Sequence, residues 1–156
     1  MASGRWLVAT LASVMLMAAC SKSNTQATPN TPSQAPSTST AGDVAVTLQQ
    51  WSITPTTTMV AAGETTFSVT NAGTIPHEFV VLSTDTPAAN FPIGSFEGEP
   101  NRIDEDKVGT NMGETGDMDP KATKSITLDL RPGHYAFVCN LPAHYGLGMH
   151  IDFTVN

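Results

Sequence analysis

The chain has 156 residues, 40% of them hydrophobic, which is enough for one packed domain with extra segments and too little for a large multi-domain enzyme. Its formal net charge of −7 argues against an electrostatic grip on nucleic acid or on an anionic membrane face. Basic or neutral partners are expected instead.

The N-terminus, MASGRWLVATLASVMLMAACSKS, has one basic residue, Arg5, and an apolar run from Trp6 to Ala19 that ends in small residues before Cys20. That is the pattern of a secretory signal over residues 1–19, too short to span a bilayer comfortably. The tetrapeptide MAAC resembles a bacterial lipobox, in which cleavage leaves a lipidated cysteine as the first mature residue; Met17 replaces the usual Leu. The alternative is a plain secreted protein with Cys20 lost or free. Cleavage removes Arg5 and no acid, so the mature chain would carry −8. Lipid on Cys20 would anchor an exported protein in the cell envelope, and Ser21 favours the outer membrane of a Gram-negative cell. Cys139, the other cysteine, would then have no disulfide partner in an oxidising compartment, which makes metal ligation a reason for keeping it.

Residues 21–42 are almost entirely Ser, Thr, Asn, Gln, Ala and Pro, with one charge, Lys22. Such a segment cannot bury a core and reads as a disordered tether spanning roughly 25 Å. The folded part is expected over residues 43–156. Alternating apolar positions in VAVTLQQW, TTFSVT, KSITLDL and HIDFTV read as half-buried strands; EFVVLST and HYAFVC are continuously apolar, as strands buried on both faces would be. The breakers AAGE, NAGTIP and RPGH separate these strands, and no long segment keeps a helical period. The pattern predicts an all-β sandwich of about seven to eight strands.

Between residues 85 and 120 the pattern dissolves into Gly, Pro and acids, with eight of the fourteen carboxylates between Glu97 and Asp119. This acidic excursion reads as a solvated surface segment with a short helix near Ile103 to Val108. A docking face or a calcium loop is the sharper alternative, although the spacing does not fit an EF-hand.

The chemistry concentrates at CNLPAHYGLGMH, where Cys139, His144 and Met149 are spaced C-x4-H-x4-M between two strands. A thiol, an imidazole and a thioether on one loop suit a soft, redox-active metal such as copper. His77, placed by the turn NAGTIP before an apolar strand, supplies the second imidazole. Two imidazoles and a thiolate with a long axial thioether describe a blue-copper site. His134 reads as solvated after a turn, and His150 as a spectator on the opposite side of its strand from Met149. Met112 and Met118 read as gap fillers or as soft ligands near the site.

Through NAGTIPHEF and PGHYAFVCNLPAHYGLGM, residues 43–156 resemble a cupredoxin, the type 1 blue copper family of plastocyanin, azurin, rusticyanin and sulfocyanin. The C-x4-H-x4-M spacing is nearer to rusticyanin and sulfocyanin, and Ala143 stands where many members have Gly. The resemblance implies a Greek-key sandwich and one copper ion, with His77, Cys139 and His144 equatorial and Met149 axial. Asn71 or Asn140 would donate to the thiolate or fix the two loops. Pro142, Ala143, Tyr145 and Leu147 would form an apolar rim for electron passage to a docked partner. The function implied is a one-electron carrier between redox proteins, such as cytochromes or oxidases, acting as a monomer. The second reading is a module for copper buffering or delivery. An enzyme is disfavoured, because four histidines and no His-x-His pair cannot build a multicopper centre, and a structural zinc site would leave Met149 without a role.

Overall fold

The computed structural model describes residues 42–156, so the expected signal segment, Cys20 and the expected tether up to residue 41 lie outside the described residues. In chain order the strands are β1 (Asp43–Gln49), β2 (Ser52–Pro55), β3 (Met59–Val60), β4 (Gly63–Asn71), β5 (Val80–Ser83), β6 (Ile93–Phe96) and β7 (Glu99–Ile103). A one-turn helix, α1 (Glu105–Val108), follows, then β8 (Thr110–Glu114), β9 (Thr123–Leu130), β10 (Gly133–Val138) and β11 (His150–Val155). One sheet has the order β2-β1-β4-β9 and the other β3-β11-β10-β5-β8. The chain crosses repeatedly between them, giving the all-β sandwich that the sequence predicts. The strand count is higher because β2, β3 and β8 are short and β6 pairs with β7 in a separate hairpin. Short strands carry too few alternations to register as a period.

Side-chain alternation builds the core. In β1, Val44, Val46 and Leu48 point inward between exposed neighbours, and β4 answers with Phe67 and Val69 in parallel register. Phe79, Phe137 and Phe153 come from the facing sheet and meet Phe67 at ring separations of 5.6, 5.3 and 5.8 Å. Phe137 lies two residues before Cys139 and Phe79 two after His77, so the aromatic core is tied directly to both segments that carry candidate ligands. At the outer edges the sheet is finished by polar devices. Pro55 sits on edge strand β2, and Thr66–Thr127 and Thr70–Thr123 hydroxyl pairs of 2.9 and 3.0 Å link β4 to edge strand β9.

The acidic excursion is more than a solvated loop. Ala88, Phe91, Ile103 and Val108 pack with Val80, Leu82, Ala136, Val138 and Tyr145 to form a second apolar cluster on the outer face of β5 and β10. This is why EFVVLST and HYAFVC are apolar without alternation: both of their faces are covered. Its short helix occurs within the expected stretch, although Ile103 ends β7 and lies outside α1.

Candidate metal centre

His77, Cys139 and His144 converge at one end of the sandwich, their potential ligand atoms all within 4.8 Å of one another. His77 leaves the turn after β4, and its backbone forms a two-way bridge with Met118, at 3.2 Å from His77 N to Met118 O and 2.8 Å in return. Asn71 holds this turn from inside. Its Nδ2 donates to the carbonyls of Ile75 (2.9 Å) and Met118 (2.8 Å), and its Oδ1 accepts from Gly73 N at 2.9 Å. Gly73 is required on steric grounds, because a Cβ there would lie 2.6 Å from Gln50 Oε1 and 2.9 Å from His77 Nε2.

The other ligand segment is a closed loop. Cys139 N donates to Met149 O (3.0 Å), Met149 N to His144 O (3.2 Å) and His144 N to Leu141 O (2.9 Å). Gly148, at φ +113°, ends the 3-10 turn Tyr145–Leu147 in the left-handed region, where its missing Cβ costs nothing. Ala143 also has positive φ, +71°, which accounts for the preference for Gly at that position and costs roughly 1–2 kcal/mol with a side chain present. Met149 is fully buried and shares an apolar cluster with Cys139 and Met118.

The residues fit a metal ion. His77 Nδ1 and His144 Nδ1 face each other at 3.2 Å, and Cys139 Sγ lies 3.2 Å from His144 Nδ1. Burial lowers the pKa of both imidazoles, and for His77 the neighbouring His144 lowers it further, so both present lone pairs at neutral pH. Burial pushes the Cys139 thiol up to about 12, partly offset by backbone N–H donors from Glu78 and Leu141. A thiol so strongly desolvated ionises when a cation compensates it. His77 Nε2 is buried without a hydrogen-bond partner among the described residues, and it would carry the ring proton if Nδ1 held an ion.

Other expectations divide. Asn71 fixes the loops, whereas neither Asn71 nor Asn140 donates to the sulfur; Glu78 N does, at 3.3 Å. Asn140 instead ties the ligand loop to the excursion. Its Oδ1 accepts from Ile103 N (2.8 Å), its Nδ2 donates to Glu105 Oε1 (2.8 Å), and its backbone N donates to Glu78 Oε1 (2.8 Å). Pro142, Ala143 and Leu147 are exposed, but Tyr145 is not part of an outer rim. It is buried, donating to Ala88 O at 2.7 Å and accepting from Phe91 N at 2.9 Å. His134 is structural rather than merely solvated, bridging Thr84 O (2.7 Å) and Asp152 Oδ1 (2.9 Å). His150 stays outside the ligand group, with its ring 5.0 Å from that of Tyr145. Met118 is core and Met112 packs against it.

Two features escape sequence reading. Trp51, in the turn between β1 and β2, places its indole edge-on to His144 (5.1 Å) and His77 (6.4 Å). Glu78 is buried beside the site, with its pKa raised to about 7 chiefly by desolvation. The carboxylates gather around a cavity of about 500 Å³ lined by Glu78, Glu105, Glu114, Arg102 and loop residues Leu141 and Pro142. No local pattern in QQWS or PHEF marks either role.

Comparison with known proteins agrees with the fold. The reduced auracyanin of the photosynthetic bacterium Roseiflexus castenholzii matches with a TM-score of 0.55 at 23% identity, over 76% of this chain and 98% of that one. Auracyanin A, a "blue" copper protein of Chloroflexus aurantiacus, matches at 0.51 and 18% identity, over 73% and 98% of the respective chains. No curated protein matches the sequence. The family model for copper binding proteins of the plastocyanin/azurin family matches residues 41–156, which include the whole ligand-bearing sandwich. This chain belongs to the plastocyanin/azurin family of copper-binding proteins, the cupredoxins.

Proposed function

We propose that the protein carries single electrons on one type 1 copper ion, which His77, Cys139, His144 and Met149 would hold. The observation that carries this reading is the convergence of two neutral imidazoles and one buried thiol within 4.8 Å. Copper bound there supplies a site that alternates between Cu(II) and Cu(I). The protein supplies a rigid cage: the bridge from His77 to Met118 and the closed Cys139–Met149 loop resist the geometry change that each oxidation state would otherwise choose. Burial of all four side chains favours retention of the ion over buffering or delivery, which needs exchangeable ligands. The protein has no enzymatic role in this reading.

The cellular setting is also a proposal. Residues 1–19 would export the protein, Cys20 would hold it on a membrane of the cell envelope, and the tether would let it reach redox proteins nearby. The deciding experiment is to add one equivalent of Cu(II) to the purified protein and record its visible spectrum before and after ascorbate. An intense charge-transfer band that bleaches and returns on reoxidation is expected. A colourless protein that takes up zinc or Cu(I) instead would overturn the reading in favour of storage or delivery.

A further inference from the structure

Electron tunnelling weakens exponentially with distance and faster across gaps than through atoms in contact. A partner must therefore touch something in direct contact with the ligands. His77, Cys139 and Met149 are completely buried, and His144 is only 9% exposed. What stands outside the two imidazoles is Trp51, 39% exposed, with its indole edge-packed against both rings. The remaining exposed rim side chains, Pro142, Ala143 and Leu147, are saturated and offer no π system.

The indole is also held in place. Gln50 Nε2 donates to Thr74 Oγ1 at 2.6 Å and Gln50 Oε1 accepts from Thr74 N at 3.2 Å, clamping the Trp51 turn to the turn that carries His77. On the other side, the Trp51 carbonyl would lie 3.4 Å from a Cβ on Gly148, so the same turn also rests against the His144–Met149 loop. Trp51 is thus fixed to both ligand segments while staying partly exposed. The position presents part of a large, rigid π system to solvent directly beside the two imidazoles.

We propose that Trp51 is the contact through which a one-electron partner couples to the copper centre, in place of His144, which it covers. This rests on the electron-carrier reading above. The step moves one electron from a reduced copy of this chain to the oxidised centre of another; no bond or proton is exchanged, and the indole remains closed-shell throughout.

The test uses the full chain loaded with copper, as wild type, Trp51→Phe and Trp51→Ala. Electron self-exchange is read from NMR line broadening in mixtures of the oxidised and reduced forms. Trp51→Ala should slow exchange about tenfold or more, as loss of a close, oriented contact does, with the visible band and potential retained. Trp51→Phe should restore most of the rate. Exchange that is unchanged or faster in Trp51→Ala would make the uncovered His144 the contact and overturn the proposal. So would loss of the visible band in both variants, which would make Trp51 a structural cover. A second readout needs no electron transfer. In Trp6→Phe, which leaves Trp51 as the sole tryptophan, copper uptake should quench indole emission; undiminished emission would also overturn the proposal. A wild type without a reversible band would bring down the carrier reading itself, whereas a reversible band indifferent to Trp51 would sink this proposal alone.

Discussion

The backbone N–H of Glu78 donates to Cys139 Sγ at 3.3 Å, joining the two ligand segments through the sulfur itself. His77, one residue earlier, and Cys139 are therefore positioned by each other's chain, although 62 residues separate them in sequence. Such a donor favours the thiolate, but burial outweighs it and holds the metal-free thiol near 12. The site consequently takes its charged form only together with an ion.

Metal uptake should release close to one proton per ion between pH 7 and 9. The imidazoles are already neutral there because their pKa values are lowered, while the thiol is still protonated. Apparent affinity should rise about tenfold per pH unit over this range. Chelator competition at several pH values measures the slope; a flat profile would exclude Cys139 thiolate as a ligand. In Cys139→Ala the slope, the visible colour and most Cu(II) affinity should disappear together.

Met149→Leu should keep the colour and raise the reduction potential, because a weak donor that favours Cu(II) is removed. The swap nearly conserves volume, so its cost to stability should stay below about 1.5 kcal/mol. Cyclic voltammetry reads the outcome, and an unchanged potential would show that Met149 is not axial.

Gly73→Ala should destabilise the fold by about 1–3 kcal/mol, as overpacking does, and weaken metal binding at the same time. The new methyl meets Gln50 Oε1 at 2.6 Å and the His77 ring at 2.9 Å, and the ring cannot move without leaving the site. Urea denaturation of the apoprotein together with a copper titration separates the two effects. Full retention of both would contradict the packing described.

Glu78→Gln should stabilise the metal-free protein at high pH and not at low pH. The folded pKa of about 7 lies above the reference value of 4.5, so the native state binds the proton more tightly than the unfolded chain. Wild-type stability therefore falls as pH rises from about 4.5 to 7, by up to about 3 kcal/mol, and stays low above that. Gln preserves an acceptor for Asn140 N–H and has no charge to desolvate. Urea midpoints at pH 5 and pH 8 should diverge between variant and wild type; equal differences at both would refute the buried-acid account.

Cys20→Ala should move the protein from the membrane fraction to the soluble fraction of the cells that express it. Unaltered fractionation would remove the lipobox reading.

The sequence by itself determined the sandwich and singled out the candidate ligands. Period-two alternation in β1, β4, β9 and β11 is a local signal. C-x4-H-x4-M is a local spacing on one loop, and His77 is flagged by the turn before it. Only the tertiary structure decided what surrounds the ligands. Trp51 reaches both imidazoles from a hairpin turn, Asn140 binds the ligand loop to the excursion, and Tyr145 turns inward to Ala88 and Phe91. The acidic excursion reads as solvent-loving because its apolar residues follow no period and lie among Gly, Pro and acids, yet the spaced Ala88, Phe91, Ile103 and Val108 are enough to seat it on the outer face of β5 and β10. The physical reason is the same in each case. Periodicity reports which face of an element is buried, whereas a contact between distant segments depends on sheet order and loop path, which no local pattern records.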